Sequence, residues 1–306
     1  MSTDGMSKKA ILVIGATGKQ GGATINALIE DGALKTHTLL AVTRDPDSTT
    51  ARKLAGHGVR LVQGDLTDCN ALFRNAKTVL EGGSVWGVFS VQPAGKREEA
   101  QGKALVDAAV ASNVDFFVYT SVDRGGEVRS PRNATKVPHF ASKHRIEQHL
   151  RLASRNDQMK WTILRPVAFM ENLAYAHGFE GKVMATAWRI SLGNKPLQLV
   201  ATQDIGWFAA QALLRPDDFA SRSISVAGDE MSFAQANAIF KSKVGYEMPQ
   251  TSALLTRFIM WLAGDLGAMI RWFAAEGYGA DLASLRAEHS DLLSFEEWVV
   301  ESGWVK

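Results

Sequence analysis

Short apolar runs alternate with segments of helical periodicity along much of this chain, and that rhythm constrains its fold more than any other feature. The runs 10–14, 38–43, 59–63, 85–90, 116–120 and 161–165 are rich in Val, Ile, Leu and Phe. Between them, 20–31, 48–56, 68–81, 96–112 and 139–154 carry apolar residues at helical spacing. Strands buried on both faces and joined by crossover helices build a parallel sheet with helices on each side. The reading is an α/β, Rossmann-like, doubly wound parallel sheet. After residue 166 the rhythm loosens into aromatics, isolated glycines and helices that no strand follows. Residues 1–165 are read as the domain that holds most of this sheet. Residues 166–306 are read as a smaller, mainly C-terminal substrate lobe over the sheet's carboxyl edge, discontinuous because a strand at 223–227 rejoins the sheet.

Composition narrows the function. The 34 basic and 32 acidic residues leave a net charge of +2 with the signs interspersed, which argues against a nucleic-acid partner. A single cysteine, Cys69, excludes a disulfide framework and cysteine-based zinc. His139, His144 and His149 are spaced by five, which spreads them around a helix, so no metal site is expected. No apolar stretch precedes the first strand, and the chain is expected to be cytoplasmic, with the nucleus as a further possibility. The most apolar long segment, 254–273, is interrupted by Arg257, Asp265 and Arg271. It is read as packing in a core or a dimer seam, with an amphipathic helix lying on a membrane as the alternative, and not as crossing a membrane. Trp261, Trp272 and Phe273 are read the same way.

Directly after the first strand stands Gly15-Ala16-Thr17-Gly18-Lys19-Gln20-Gly21-Gly22. In a strand–turn–helix setting, Gly15 permits the tight turn, Gly18 lets a pyrophosphate approach the backbone, and Gly21 lets the helix pack on the sheet. The helix N-terminus then offers free N–H groups and a positive dipole end. The second strand ends in Arg44, where a binder of NAD would carry an acidic residue for the ribose 2′-hydroxyl. A guanidinium suits a 2′-phosphate instead, so the cofactor is read as NADP(H). Asp45 follows and is expected to turn away. Asp123-Arg124 has two readings, part of the ligand-side strand end or a surface ion pair.

The spacing G-x-x-G-x-x-G resembles the opening of the NmrA-like family, an atypical branch of the short-chain dehydrogenase/reductase superfamily. Three further blocks resemble that family: 118–126, 137–147 and 164–172. The resemblance implies that Thr17, Lys19 and Gln20 belong to the cofactor loop and that Asp65 and Leu66 form an adenine-contacting turn. It implies that Ser90 and Gln92 pass the nicotinamide ribose and that Ser121 orients substrate. Pro166 and Phe169 would line the nicotinamide pocket, with Phe169 and Asn172 also touching substrate. Ordinary members of the superfamily pair Tyr-x-x-x-Lys on one helical face. Here Lys143 is present, but His139 stands where the tyrosine would be. Three readings stay open: His139 as acid/base, Lys143 as proton donor or ribose ligand, or a site that binds without catalysis. The functions implied are an NADPH-dependent reductase of a bulky apolar carbonyl, quinone or conjugated alkene, or a redox sensor that passes its cofactor state to a protein partner. Substrate identity and oligomeric state are not legible.

Overall fold

The computed structural model describes residues 8–155, 158–174 and 178–304. Ten strands are present among these: β1 (Lys9–Val13), β2 (His37–Thr43), β3 (Arg60–Gln63), β4 (Val85–Ser90), β5 (Phe116–Thr120), β6 (Lys160–Pro166), β7 (Ala168–Phe169), β8 (Leu197–Val200), β9 (Arg222–Val226) and β10 (Asp229–Met231). Seven of them form one sheet in the order β3-β2-β1-β4-β5-β6-β9. The pairs from β3 through β6 are parallel. The sequence order thus reverses between β1 and β4, and in open α/β sheets ligands bind at the carboxyl ends of the strands flanking such a switch. Strand β9 rejoins the sheet as the sequence predicts.

The apolar runs become strands because both their faces are covered. Every residue of β5 and the last four of β1 are buried. Helices start where local chemistry supplies a cap: the Ser48 and Asp68 side chains accept from the Ala51 and Ala71 amides. Each such cap contributes about 1 kcal/mol.

Two compact units divide the chain. One holds residues 1–121, 145–164 and 205–223; the other holds 122–144, 165–204 and 224–306. The division therefore falls near residue 165 but trades two segments, 122–144 and 205–223, across it. In the first unit, Leu12, Leu40, Val88, Phe117, Tyr119 and Ile146 share one core. In the second, Phe140, Trp188, Phe233, Phe240, Trp272, Phe273 and Trp298 share another. The second unit also contains a three-stranded sheet, β10-β8-β7, which the sequence reading had not anticipated. Its strands are two to four residues long, too short to show periodicity.

The apolar segment 254–273 is two helices, Ala253–Leu262 and Gly264–Ala275, bent by 112° at their junction. Trp272 and Phe273 are buried as expected, whereas Trp261 is exposed. Among the described residues no single helix is long and apolar enough to cross a membrane.

Candidate functional site

At the switch point the first glycine loop is built around backbone contacts that exclude side chains. Ile14 N–H donates to Phe89 O, joining the ends of β1 and β4, and Gly18 N–H donates to Gly15 O at 2.8 Å. Gly15 has φ +65°, and a Cβ there would lie 2.8 Å from Val91 Cγ1. A Cβ on Gly21 would fall 2.3 Å from Gly15 O, so the helix Lys19–Glu30 rests on the turn through that glycine. Gly18 is different. Its backbone is extended, and a Cβ would meet Gly15 O only at 3.2 Å. Gly18 is the residue at the N-cap, and no side chain there accepts from the first helical amides. Thr17, Gly18 and Lys19 are exposed. Gln20 has another task, accepting a hydrogen bond from Thr120 Oγ1 at 2.6 Å and so tying the loop to β5.

Beside this loop, a cleft of about 300 Å³ is lined by Arg44, Gln63, Gly64, Asp65, Thr67 and Asn75, among others. Arg44 enters this lining; Asp45 does not, because its carboxylate accepts from the Asp47 amide within its own turn. The Asp65 carboxylate accepts from the Thr67 hydroxyl and from the Thr67 amide. Those bonds, with smaller help from Arg44 and Arg97, hold its carboxyl below the usual range, so it faces the cleft as an acceptor. Leu66 is not part of the lining and packs against the core. Thr67 and Asn75 were missed in the sequence. The signal for Asn75 was available: it stands three and four residues after Leu72 and Ala71, on one face of the helix Cys69–Val79.

At the end of β4, Gln92 Nε2 donates to Ser90 Oγ at 2.9 Å, and both residues are buried. Gln92 Oε1 is buried with no hydrogen-bond partner among the described residues. An orphaned acceptor costs about 1–3 kcal/mol, a cost that a ligand donor would remove. Ser121, just past β5, donates its hydroxyl to the fully buried Glu147.

The second unit holds the other sequence candidates. Lys143 is buried and His139 half-buried on the helix Pro138–Ala153, one turn apart. The His139 ring is tilted against Phe140, whose ring meets Trp272 edge-on at 5.2 Å. Pro166 is buried, and its carbonyl accepts from the Asp123 amide at 3.0 Å. Phe169 and Asn172 line a small apolar pocket with Met184, Trp188, Ile270 and Phe273. Trp188 Nε1 is buried without a partner among the described residues, a polar atom in an otherwise apolar wall that the sequence reading had not singled out.

Asp123-Arg124 is not a surface pair; both side chains are fully buried. Asp123 accepts from the amides of Gly125, Gly126 and Gly279 and from the hydroxyls of Ser130 and Ser225. Arg124 donates to the carbonyls of Val122, Ser130 and Asn133. The surface alternative fails for a physical reason. Charged dipeptides are usually solvated, and the donors that make this one tolerable come from segments as distant as residue 279.

The model of the NmrA-like family matches residues 7–299. The chain belongs to the NmrA-like family. Among curated relatives, an NmrA-like family domain-containing protein of Dictyostelium discoideum is 29% identical over 96% of this chain and 97% of its own length. The NmrA-like family domain-containing oxidoreductase hkm9 of Aspergillus hancockii is 30% identical over 47% of this chain and 42% of that protein. Of the fungal oxidoreductases that match first, the matched segment spans about half or less of their length. Among solved structures, the triphenylmethane reductase of Citrobacter sp. complexed with NADP(H) superposes with a TM-score of 0.73 at 17% identity, covering 96% of this chain and 99% of the other. The NADPH-dependent quinone oxidoreductase of Escherichia coli, complexed with NADPH, gives 0.69 at 21%, covering 95% and 99%. These likenesses concern the fold. In this NmrA-like chain the glycine loop, the Arg44–Asp65 cleft and the Ser90–Gln92 pair lie in one unit, at the carboxyl ends of neighbouring strands.

Proposed function

We propose that this NmrA-like protein binds NADP(H) and reduces a bulky apolar carbonyl, quinone or conjugated alkene. The observation that carries the reading is the glycine loop, closed on the backbone at Gly15 and Gly21 and ending in an exposed, uncapped helix start at Gly18, beside a cleft that brings together Arg44 and an Asp65 carboxyl held below its usual range. Those residues fit a dinucleotide. The N-terminus of the helix Lys19–Glu30, which no side chain caps, suits a pyrophosphate. Arg44 supplies parallel N–H donors for a 2′-phosphate, and the Asp65 carboxylate accepts from an adenine amine. The lone acceptor of Gln92 suits a ribose hydroxyl or a carboxamide N–H. When bound, NADPH supplies the hydride. Lys143, a buried side chain on its helix, would hand a proton to the substrate atom that gains charge, with His139 as the alternative donor. The apolar wall that Phe169 and Asn172 share with Trp188, whose indole N–H has no partner among the described residues, suits an apolar substrate group that carries a hydrogen-bond acceptor. The test is NADPH consumption against a panel of quinones, enones, ketones and imines.

One observation favours a second reading. His139 stands where a catalytic tyrosine would, so the same cradle could serve a protein that senses NADP(H) and signals to a partner. No turnover across the panel, with a partner captured differently in NADP⁺ and NADPH, would select it.

Two expected results follow from the cradle. Gly18→Val should fold, because its backbone tolerates a side chain, yet lose at least about 100-fold in NADPH affinity as the branched carbons fill the pyrophosphate's place. Gly21→Ala should instead lower the melting temperature, since its methyl would enter Gly15 O. Calorimetric binding and thermal melts of both variants separate the two roles; unaltered NADPH affinity in folded Gly18→Val would refute the assigned loop. Arg44→Ala should weaken NADPH by about 1.5–3 kcal/mol and leave NADH nearly unchanged. An equal loss for both cofactors in a fluorescence titration would remove Arg44 from the phosphate.

A further inference from the structure

The helix Ala253–Leu262 carries an apolar face that stays exposed among the described residues. Leu254 is 76% exposed, Leu255 40%, Phe258 56%, Trp261 75% and Leu262 70%. Only Thr256 in this helix is buried. Scattered exposed leucines are ordinary, but five large side chains on ten residues make a patch on the order of 600 Å², at the upper end for a monomer's surface. Its base is firm. Gly267 brings the next helix so close that a Cβ there would lie 2.2 Å from Met260 O.

The arrangement of the five residues identifies their occupant. Counted from Phe258, they stand at −4, −3, 0, +3 and +4, a set that reads the same in both directions. We infer that this face pairs with the same face of a second copy, the two helices running antiparallel about a two-fold axis at Phe258. In that arrangement Phe258 meets its own counterpart. Leu254 and Leu255 come level with Leu262 and Trp261 of the other copy, and the pairs interdigitate. A two-fold interface must be self-complementary, and a palindromic ridge meets that demand within a single helix. The area agrees: roughly 600 Å² of apolar surface per copy approaches the roughly 800 Å² per partner of a stable interface. Arg257 is the helix's one charge and falls outside the pattern, where its long side chain reaches the rim. This inference does not depend on the proposed reductase activity.

Light scattering on the full chain should give the mass of two copies. Phe258→Glu places two carboxylates face to face at the axis and should give one copy, with an unchanged circular dichroism spectrum. The positional test is Phe258→Cys, which should form a disulfide with itself under mild oxidation, whereas Leu254→Cys alone should not, since its mate is a different residue. Antiparallel helices packed at 8–10 Å bring the axial Cα pair within disulfide reach. Cys69 does not compete, because it is buried and burial pushes its thiol up to about 11. A single-copy mass for the wild type would overturn the inference. So would a dimer that survives Phe258→Glu, or a failure of Phe258→Cys to cross-link. Flotation of a single-copy wild type with phosphatidylcholine–phosphatidylserine vesicles would assign the face to lipid instead.

Discussion

Lys143→Met is expected to lower NADPH-dependent turnover roughly 10²–10⁴-fold on any acceptor the wild type reduces, while changing NADPH affinity far less. The size follows from the role. A general acid acts in the transition state, so its loss falls on kcat and spares cofactor binding. Methionine keeps the length and apolar stem of a side chain that is buried, so packing is retained and only the ammonium is lost. His139→Ala should match that loss only if the imidazole has taken the tyrosine's place. Its ring leans on Phe140, so a modest loss of stability is expected in either case. Steady-state kinetics with cofactor binding measured in parallel distinguish the outcomes. Turnover unaffected by either substitution would leave the reductase reading in place and remove both residues from it.

Asp123→Ala is the substitution with the largest expected effect on stability. It leaves five donors without their acceptor, three of them on buried residues: the amides of Gly125, Gly126 and Gly279 and the hydroxyls of Ser130 and Ser225. Hydrogen bonds to a charged group contribute about 1.5–3 kcal/mol each, but they do not add, and a loss of about 3–5 kcal/mol is expected. Melting should fall by roughly 6–20 °C. The neighbouring backbone cannot relax easily to rescue those donors. Gly126 has φ +82°, and a Cβ on it would lie 2.3 Å from Gly279 O. Asp123→Asn should fall between the two, keeping one good acceptor and adding an amide among donors. A shift below about 1 kcal/mol for Asp123→Ala would show that this hub does not hold the second unit together.

The contrast between these two sites explains what the sequence could disclose. Strands β4 and β5 were placed to the residue, because their apolar runs end at sharp breaks and tertiary contacts only confirm them. The glycine loop was legible for a similar reason: Gly15, Gly18 and Gly21 act through backbone geometry within seven residues. The Asp123 hub was not legible, since its partners are spread over 156 residues of chain. Nor was the fate of 254–273. Its composition reads as one apolar helix, but Gly267 folds it back near Ala263, burying Trp272 and Phe273 and leaving Trp261 outside. Trp188 escaped notice because its indole N–H becomes unusual only once the surrounding wall is known to be apolar.

The most direct test of the cofactor assignment is an isothermal titration of the wild-type protein with NADPH and, separately, NADH. Arg44 in the cleft and the absence of an acidic residue at the end of β2 predict one NADPH per chain, bound at least about 10-fold more tightly than NADH. Equal affinity for the two, or no binding of either, would contradict the account.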